Sequence, residues 1–456
     1  MTVQVVILAA GQGKRMFSDL PKVMHCLAGK PLLEHVIHTA LSVSKTPPII
    51  VYGHQGQLVH DALSHYHSKW VEQKEQLGTG HAIQHILSHL SDKDRVLILY
   101  GDVPLITQET LHELITATPQ DAIGLLTAAV SQPAGYGRIK RNHQQNILSI
   151  IEDKDASSEE RLINEINSGI YLVPASYLKK WVPLLKKNNS QGEYYLTDMI
   201  DLAAKEKVFI HALQVKQEEE IAGVNDRAQL AHLERFYQLK KANALLKQGV
   251  TLSDPARIDI RGEIKMGRDV SIDINVILEG QVAIGDGCVI GPNTILRNTV
   301  LGKHVEIKSH CVLDGAEVAD HCIIGPFARL RPGTQLQQQV HIGNFVEIKN
   351  SEIDEKTKVN HLSYVGDSEV GKEVNIGAGV ITCNYDGINK HKTTIGDRVQ
   401  IGSDSTLVAP ITLHDDVYVA SATTVRHDVP EGALVYNKRE ECVKKGWTEE
   451  HRKNKR

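Results

Sequence analysis

No stretch of this 456-residue chain is apolar for long enough to span a bilayer, and no charged start followed by an apolar core marks a leader peptide. A cytoplasmic protein with no membrane partner is the expectation. Cysteine is scarce: there are six, Cys26, Cys288, Cys311, Cys322, Cys383 and Cys442, and no two stand as Cys-x-x-Cys. That excludes the usual zinc spacing and a disulfide framework, and leaves reduced thiols. An excess of positive charge is missing too. At a formal net charge of −4 the chain has no global attraction to nucleic acid, so any anion must be held by a local site. The basic run Lys453 to Arg456 reads as a solvated end rather than a binding arm. What remains, 41% hydrophobic and 23% charged residues, is ordinary for a globular protein, with length for about three domain equivalents.

Two phosphate-binding motifs are also absent, although the chain begins as if to make one. Val5-Val6-Ile7-Leu8 suits a strand buried on both faces, and it breaks into Ala9-Ala10-Gly11-Gln12-Gly13-Lys14-Arg15-Met16 before Pro21-Lys22. A dinucleotide fingerprint needs a third glycine where Met16 stands, and a P-loop needs Ser or Thr where Arg15 stands. Gly11 and Gly13 still permit a tight turn and close approach of backbone N–H groups to an anion, with Lys14, Arg15 and Lys22 adding positive charge. A nucleoside triphosphate fits those terms; the bland alternative is a glycine turn after an edge strand. The full string Leu8-x-x-Gly11-x-Gly13-x-x-Met16-x-x-x-x-Pro21-Lys22 resembles the signature of sugar-1-phosphate nucleotidylyltransferases, with Lys14 where that family usually has Thr.

Strand-like and helix-like stretches alternate as far as about Asn225, which predicts an α/β, Rossmann-like domain with a largely parallel sheet. Ile49–Tyr52 and Val96–Tyr100 read as further strands. The latter runs into Gly101-Asp102-Val103-Pro104-Leu105, placing a carboxylate at the C-terminal end of a buried strand, the ligand side of open α/β sheets. Taken alone, such an Asp is more often a turn former or cap. A reaction on a nucleoside triphosphate needs Mg²⁺, held by one or two oxygen side chains plus phosphates and water. Asp102 is the first candidate ligand and Asn225 the second.

Gln73 with Gln76-Leu77-Gly78-Thr79-Gly80, then Gly135–Ile139, Glu152–Asp155 and Ile166–Ile170, border strand-like runs and singly read as turns or binding loops alike. Together with the opening signature they resemble the site of uridylyltransferases acting on N-acetylglucosamine-1-phosphate. That resemblance implies that Gln73, Gly78 and Thr79 meet uracil and that Gly137, Glu152 and Asn167 meet the amino sugar. Leu8, Ala9, Ala10, Gly11, Tyr100 and Gly101 complete the UDP-N-acetylglucosamine site, Asp102 and Asn225 hold Mg²⁺, and Arg15 and Lys22 sit on the triphosphate of UTP. Positioning and charge neutralisation would carry the reaction, without a protein nucleophile.

Residues 227–248 contain no Gly or Pro and predict a long helix, with Leu230, Leu233 and Tyr237 as a narrow stripe and Gly249 as its stop. It separates a domain over 1–226 from one over 249–456. After Thr251 the period becomes six. Ile395, Ile401, Leu407, Leu413, Val419 and Val425 share one frame, and four residues beyond each stand Val399, Ser405, Ile411, Val417, Thr423 and Val429. Neither a helix nor an alternating strand gives six, so the repeat predicts a parallel β-helix with inward-pointing apolar residues.

The hexapeptides resemble the left-handed β-helix of acyltransferases, whose sites lie between subunits of a trimer; a plain trimerisation scaffold would show the same repeat. Polar segments interrupt it, and Asn360-His361-Leu362-Ser363-Tyr364-Val365-Gly366-Asp367 is similar to the acetyltransferase motif of the bacterial bifunctional N-acetylglucosamine-1-phosphate uridylyltransferase/glucosamine-1-phosphate N-acetyltransferases. Acetyl transfer needs a neutral amine, and histidine is the side-chain type that ordinarily titrates nearest neutral pH. By the resemblance His361 is the base and Glu347 orients it. Arg331, Lys349, Tyr364 and Asn375 bind glucosamine-1-phosphate; Ala378, Asn384, Tyr385 and Ser403 contact acetyl-CoA or complete the pocket. Ser421 stands where alanine is usual and Lys438 where arginine is usual, which removes a planar fork from the CoA contact. The resemblance, from Val5 to about Lys438, implies a homotrimer that uses acetyl-CoA, UTP and Mg²⁺ to feed cell-wall and lipopolysaccharide precursors. Its rivals are a monofunctional nucleotidylyltransferase with a structural tail and a nucleotide-sugar sensor without activity.

Overall fold

The computed structural model describes residues 2–11, 13–53, 55–438 and 440–453; Gln12 of the opening loop and 454–456 of the basic tail lie outside the described residues. The chain divides into two compact units, Met1–Tyr237 and Gln238–Arg456.

In the first unit β1 (Val3–Ala9) is central because both its faces are apolar: Val6 and Leu8 enter the core on one side of the sheet, Val5 and Ile7 the core on the other. In parallel with it run β2 (Ile49–Tyr52) and β4 (Arg95–Tyr100), and β3 (Lys69–Glu72) extends the sheet beyond β2. The other half is mixed. There β8 (Glu165–Pro174) is antiparallel to both β4 and β5 (Ile123–Ala129), while β9 (Ile210–Gln214) is parallel to β5. A hairpin of β6 (Arg138–Arg141) and β7 (Ile147–Ile151) joins β8. Since β1 and β4 are parallel, their C-terminal ends share one edge, where the Gly101 N–H donates to the Leu8 carbonyl at 2.9 Å. The glycine loop and the Asp102 turn are therefore neighbours.

The predicted long helix spans Arg227–Lys247. The Asp226 carboxylate starts it by accepting the Gln229 N–H at 2.8 Å. Its first half packs Leu230, Leu233, Phe236 and Tyr237 on Met16, Leu27 and Leu32 within the first unit. Its second half belongs to the other unit, where Ala242 and Leu245 enter the core. There the Gln238 amide mimics a strand: it takes the Ile260 N–H at 2.7 Å and donates to the Ile260 carbonyl at 3.0 Å. The stripe read from Leu230, Leu233 and Tyr237 is thus the first of two short apolar faces.

The second unit is a coil of short parallel strands, in which each strand pairs with its counterpart one turn later; Ile277 lies opposite Ile295, and Ile295 opposite Val312. The six-residue frame is the inward-facing set: from Ile395 to Val425 every sixth residue is buried, and so is each residue four further on. The hydroxyls among them are satisfied inside, Ser405 donating to the Ala420 carbonyl at 3.2 Å and Thr423 to the Ser421 carbonyl at 3.5 Å. Corners put non-glycine residues in the left-handed region, among them His310, Phe327, Phe345 and Leu362 at φ of 61°, 55°, 56° and 46°. Successive rings stack there, His310 on Phe327 at 4.8 Å and Phe327 on Phe345 at 5.2 Å, which helps offset the backbone cost. Hexapeptide repeats on stacked parallel strands are the architecture of the left-handed β-helix.

Candidate active sites

A cavity of 540 Å³ opens at the strand edge of the first unit. Leu8, Ala9, Ala10, Gly11, Lys14, Lys22, Gln73, Gly78, Thr79, Tyr100 and Asp102 line it, so most of the expected nucleotide-sugar residues meet in one place. Gly13 (φ +63°) is needed twice over, because its conformation disfavours a side chain and a Cβ would fall 2.7 Å from the Lys22 Cβ. A Cβ on Gly11, by contrast, would stand in open space. Gly101 lies beneath the cavity, where an added Cβ would press on Ala9, Leu33 and Val23.

Arg15 departs from its expected place. The short turn Lys14–Met16 drives Met16 into the core at 1% exposure, which leaves Arg15 exposed, while Lys14 reaches the wall of the cavity. Lys22 is ion-paired with Asp102 and donates to Asn225 Oδ1 at 3.3 Å. Two oxygens from residues far apart in the sequence, Asp102 and Asn225, thus converge on one positive charge. Asn225 is set there by the chain around it: the Val224 N–H donates to the Asp102 carbonyl at 2.9 Å and the Asn225 N–H to Gln229 Oε1 at 2.7 Å. Hard oxygen ligands already gathered about a cation fit Mg²⁺, with remaining positions for phosphate and water.

The 76–80 loop is pinned by the segment packed directly against it, residues 194–196. Gly80 donates its N–H to the Tyr194 carbonyl at 2.8 Å, Thr79 Oγ1 accepts from the Leu196 N–H at 3.1 Å, and Gly78 (φ +110°) leaves no room for a Cβ, which would lie 2.6 Å from the Tyr194 carbonyl. Gly137, Glu152 and Asn167 also meet: a Cβ on Gly137 would lie 3.6 Å from the Asn167 Cβ and 3.7 Å from Glu152 Oε1. Asn167 Oδ1 accepts from the Gly169 N–H at 2.9 Å and the Tyr171 hydroxyl at 3.1 Å. Burial pushes the Glu152 carboxyl above its ordinary range against the opposing hydrogen bond from the Thr197 hydroxyl, 3.1 Å away. Tyr100 feels both this group and Asp102; burial first, then Glu152 and Asp102, hold its phenol in the neutral form.

On the coil, Arg331 pairs with Glu347 at 2.9 Å and Lys349 with Asp367 at 3.1 Å. Asp367 also accepts from Asn350 at 2.7 Å and from Asn384, whose amide lies 3.4 Å from the Tyr364 hydroxyl. Burial acts to raise the Asp367 carboxyl, but the bonds from Asn350, Lys349 and Asn384 outweigh it and hold it below the usual range. Lys349, Tyr364 and Asn384 are therefore one cluster with Asp367 as its hub, and Arg331 is paired beside it with Glu347, which lies in register with Tyr364.

A second group forms a column. Asn344 pairs in register with His361, Val359 with Ile376, Ile376 with Ile401 and Ile401 with Val419, so Asn344, His361, Ala378, Ser403 and Ser421 occupy equivalent places on successive coils. Asn375 is exposed in the same row of strands, Tyr385 stands 61% exposed on the loop between Cys383 and Thr393, and Lys438 is exposed near the end of the coil. The expected Glu347–His361 contact is replaced. Glu347 lies in register with Tyr364, beside the arginines, and His361 Nδ1 instead donates to Asn344 Oδ1 at 3.0 Å. Neither Asn344 nor the cavity residues Val23, Ala82 and Glu193 carried a sequence signal; Gln76 did, within its glycine turn.

Residues 5–170 match the MobA-like NTP transferase domain, and residues 263–298 match the bacterial transferase hexapeptide family (six repeats). A Bacillus anthracis crystal structure assigned to glucose-1-phosphate thymidylyltransferase, in complex with a sucrose, aligns at a TM-score of 0.41 and 17% identity over 51% of this chain and 94% of that one. A relative named Bifunctional protein GlmU, from Methylococcus capsulatus, is 48% identical over 448 residues, 98% of this chain and 97% of the relative. With that coverage, and the two matched domains in the order of the two sites, the chain belongs to the family of the bifunctional protein GlmU, a nucleotidyltransferase domain followed by a hexapeptide acyltransferase domain.

Proposed function

We propose that the protein makes UDP-N-acetylglucosamine in two steps, each on its own part of the chain. The domain over 249–456 acetylates glucosamine-1-phosphate from acetyl-CoA, and the domain over 1–226 joins the product to UTP with release of pyrophosphate, residues 227–248 connecting them. The observation that carries this reading is the presence of two anion-handling clusters in separate units, Lys22–Asp102–Asn225 with its cavity and Arg331–Glu347 with Lys349–Asp367.

In the first site Gln73, Gly78 and Thr79 hold the base, and Gly137, Glu152 and Asn167 the amino sugar. Asp102 and Asn225 would hold Mg²⁺, which when bound draws charge from the α-phosphate and the departing pyrophosphate. Lys14 and Lys22, with Arg15 at the rim, offset the remaining charge of the triphosphate. A sugar phosphate oxygen then attacks the α-phosphorus in line; its new P–O bond forms as the bond to pyrophosphate breaks.

In the second site the Nδ1–H bond to Asn344 leaves the lone pair on Nε2 of His361, which takes the proton from the substrate amine. The amine nitrogen forms its bond to the thioester carbonyl carbon, the C–S bond breaks, and the proton passes to the CoA thiolate. Arg331 and Lys349 face the sugar phosphate, while Ala378, Ser403, Ser421, Tyr385 and Lys438 lie along the cofactor. Support for a homotrimer comes from Phe327, Phe345 and Leu362, which are 47%, 55% and 65% exposed in one apolar row beside His361. A cytoplasmic setting fits the six free cysteines, and the family points to products that feed cell-wall and lipopolysaccharide precursors.

Two assays on one preparation test the reading: pyrophosphate release from UTP and N-acetylglucosamine-1-phosphate, and thiol release from acetyl-CoA and glucosamine-1-phosphate. Asp102→Ala should lower the first by about a hundredfold or more and spare the second; His361→Ala should do the reverse. Equal loss of both in a folded variant would defeat it.

A further inference from the structure

Gln73 is 3% exposed, yet it lines the nucleotide cavity. Its amide nitrogen is committed away from that cavity, donating to the Gly78 carbonyl at 3.2 Å and meeting His81 Nδ1 at 3.0 Å. The two acceptors use both amide hydrogens, which leaves Oε1, an acceptor, as the polar atom available to a ligand. His81 can accept at Nδ1 only as a neutral ring protonated at Nε2. The imidazole and the Gly78 carbonyl thus hold the Gln73 amide, fixing which end of it faces the cavity.

We propose that His81 is a positioning residue for nucleobase selection: it turns the Gln73 carbonyl toward N3 of the base, so that uracil, which carries a proton there, is accepted and cytosine, which carries a lone pair there, is refused. The proposal rests on the reading of Gln73 as a base contact. Protonated at Nδ1, His81 would oppose the Gln73 N–H groups with a donor of its own and favour the turned-over amide. The groups around the ring are His85, just past the short helix Thr79–Gln84 that carries His81, edge-on at 4.6 Å; Glu75 in the preceding loop; and Tyr194, stacked at 6.3 Å with the Lys187 ammonium over its ring at 4.8 Å. Burial first, then His85 and Lys187 against Glu75, keep His81 neutral to a lower pH than an ordinary histidine.

The test is the ratio of kcat/KM for UTP over CTP in the full-length enzyme, a quantity from which protonation of the shared triphosphate cancels. His81→Leu should lower the ratio about tenfold, the worth of roughly one well-placed hydrogen bond. His81→Asn, whose side-chain oxygen reaches the place of Nδ1, should hold it within about threefold of the wild type. In the wild type the ratio should stay level from pH 8 to about 6.5 and fall below that, as the ring gains its second proton; in His81→Asn the fall should be smaller, only that which protonation of cytosine N3 itself brings. An unchanged ratio in His81→Leu, or the same acid fall in His81→Asn, would overturn the role of His81 while leaving UTP as substrate. No turnover of either nucleotide by the wild type would instead overturn the reading of the cavity, and the proposal with it.

Discussion

On the proposed mechanism a single hydrogen bond at His361 decides which ring nitrogen does chemistry. Because Asn344 presents an oxygen to Nδ1, that nitrogen keeps its proton and Nε2 keeps its lone pair. Asn344→Ala should therefore lower kcat for acetyl transfer about tenfold, the scale of one neutral hydrogen bond, and leave uridylyl transfer unchanged. Asn344→Asp, which still accepts, should restore most of the rate; failure of that rescue would show that Asn344 is not what holds the ring. Sequence pattern led to His361 but to the wrong partner. Residue type names a base well enough, whereas its orienting neighbour comes from the adjacent coil, seventeen positions away, and is set by strand register. Arg15 teaches the same lesson, since its neighbour Met16 is the residue that turns inward and rotates it off the cavity wall.

Among the elements, periodicity was the most legible property. Gly- and Pro-free spacing marked the helix to within one residue, and the six-residue frame marked the coil, because it reports which side chains must leave water. Strand direction was less so: a run buried on both faces reads alike whether its neighbour is parallel or antiparallel, so the reversed strand Glu165–Pro174 left no trace of its direction. The first half of the helix Arg227–Lys247 has a job that spacing alone does not reveal. Leu233 is 1% exposed against Met16 and Leu27, Glu234 accepts the Ala28 N–H at 2.7 Å, and Arg227 donates to the Met16 carbonyl at 3.3 Å. It buttresses the segment that carries the glycine loop and Lys22. Leu233→Ala should cost about 2–5 kcal/mol in unfolding of the first unit, seen as a lower urea midpoint, and should weaken uridylyl transfer before acetyl transfer. Equal weakening of both activities would mean that the helix supports something other than the loop.

For the molecule as a whole, the two clusters differ in how they are enclosed. The first is walled by its own unit, in a cavity whose floor is the strand edge and whose sides are the 76–80 loop and the segment facing it. In the second, His361, Asn375, Tyr385, Ser403, Ser421 and Lys438 all stand exposed on the outside of the coil. A coil has no second wall to offer, since its interior is filled by the inward residues of the hexapeptide frame. The exposed row of Phe327, Phe345 and Leu362 beside His361 supplies a reason for another copy to dock there, and docking would enclose the column. Placing a charge in that row should separate the activities by assembly alone. Phe345→Glu buries no new group in the folded chain, because the ring it replaces is 55% exposed, yet it would set a carboxylate inside an apolar contact. On the proposed homotrimer, light scattering should report a fall from trimer to monomer mass, acetyl transfer should drop at least about tenfold, and uridylyl transfer should persist. A variant that stays trimeric with both rates intact would place the subunit contact, and the missing wall of the acetyl site, elsewhere on the coil.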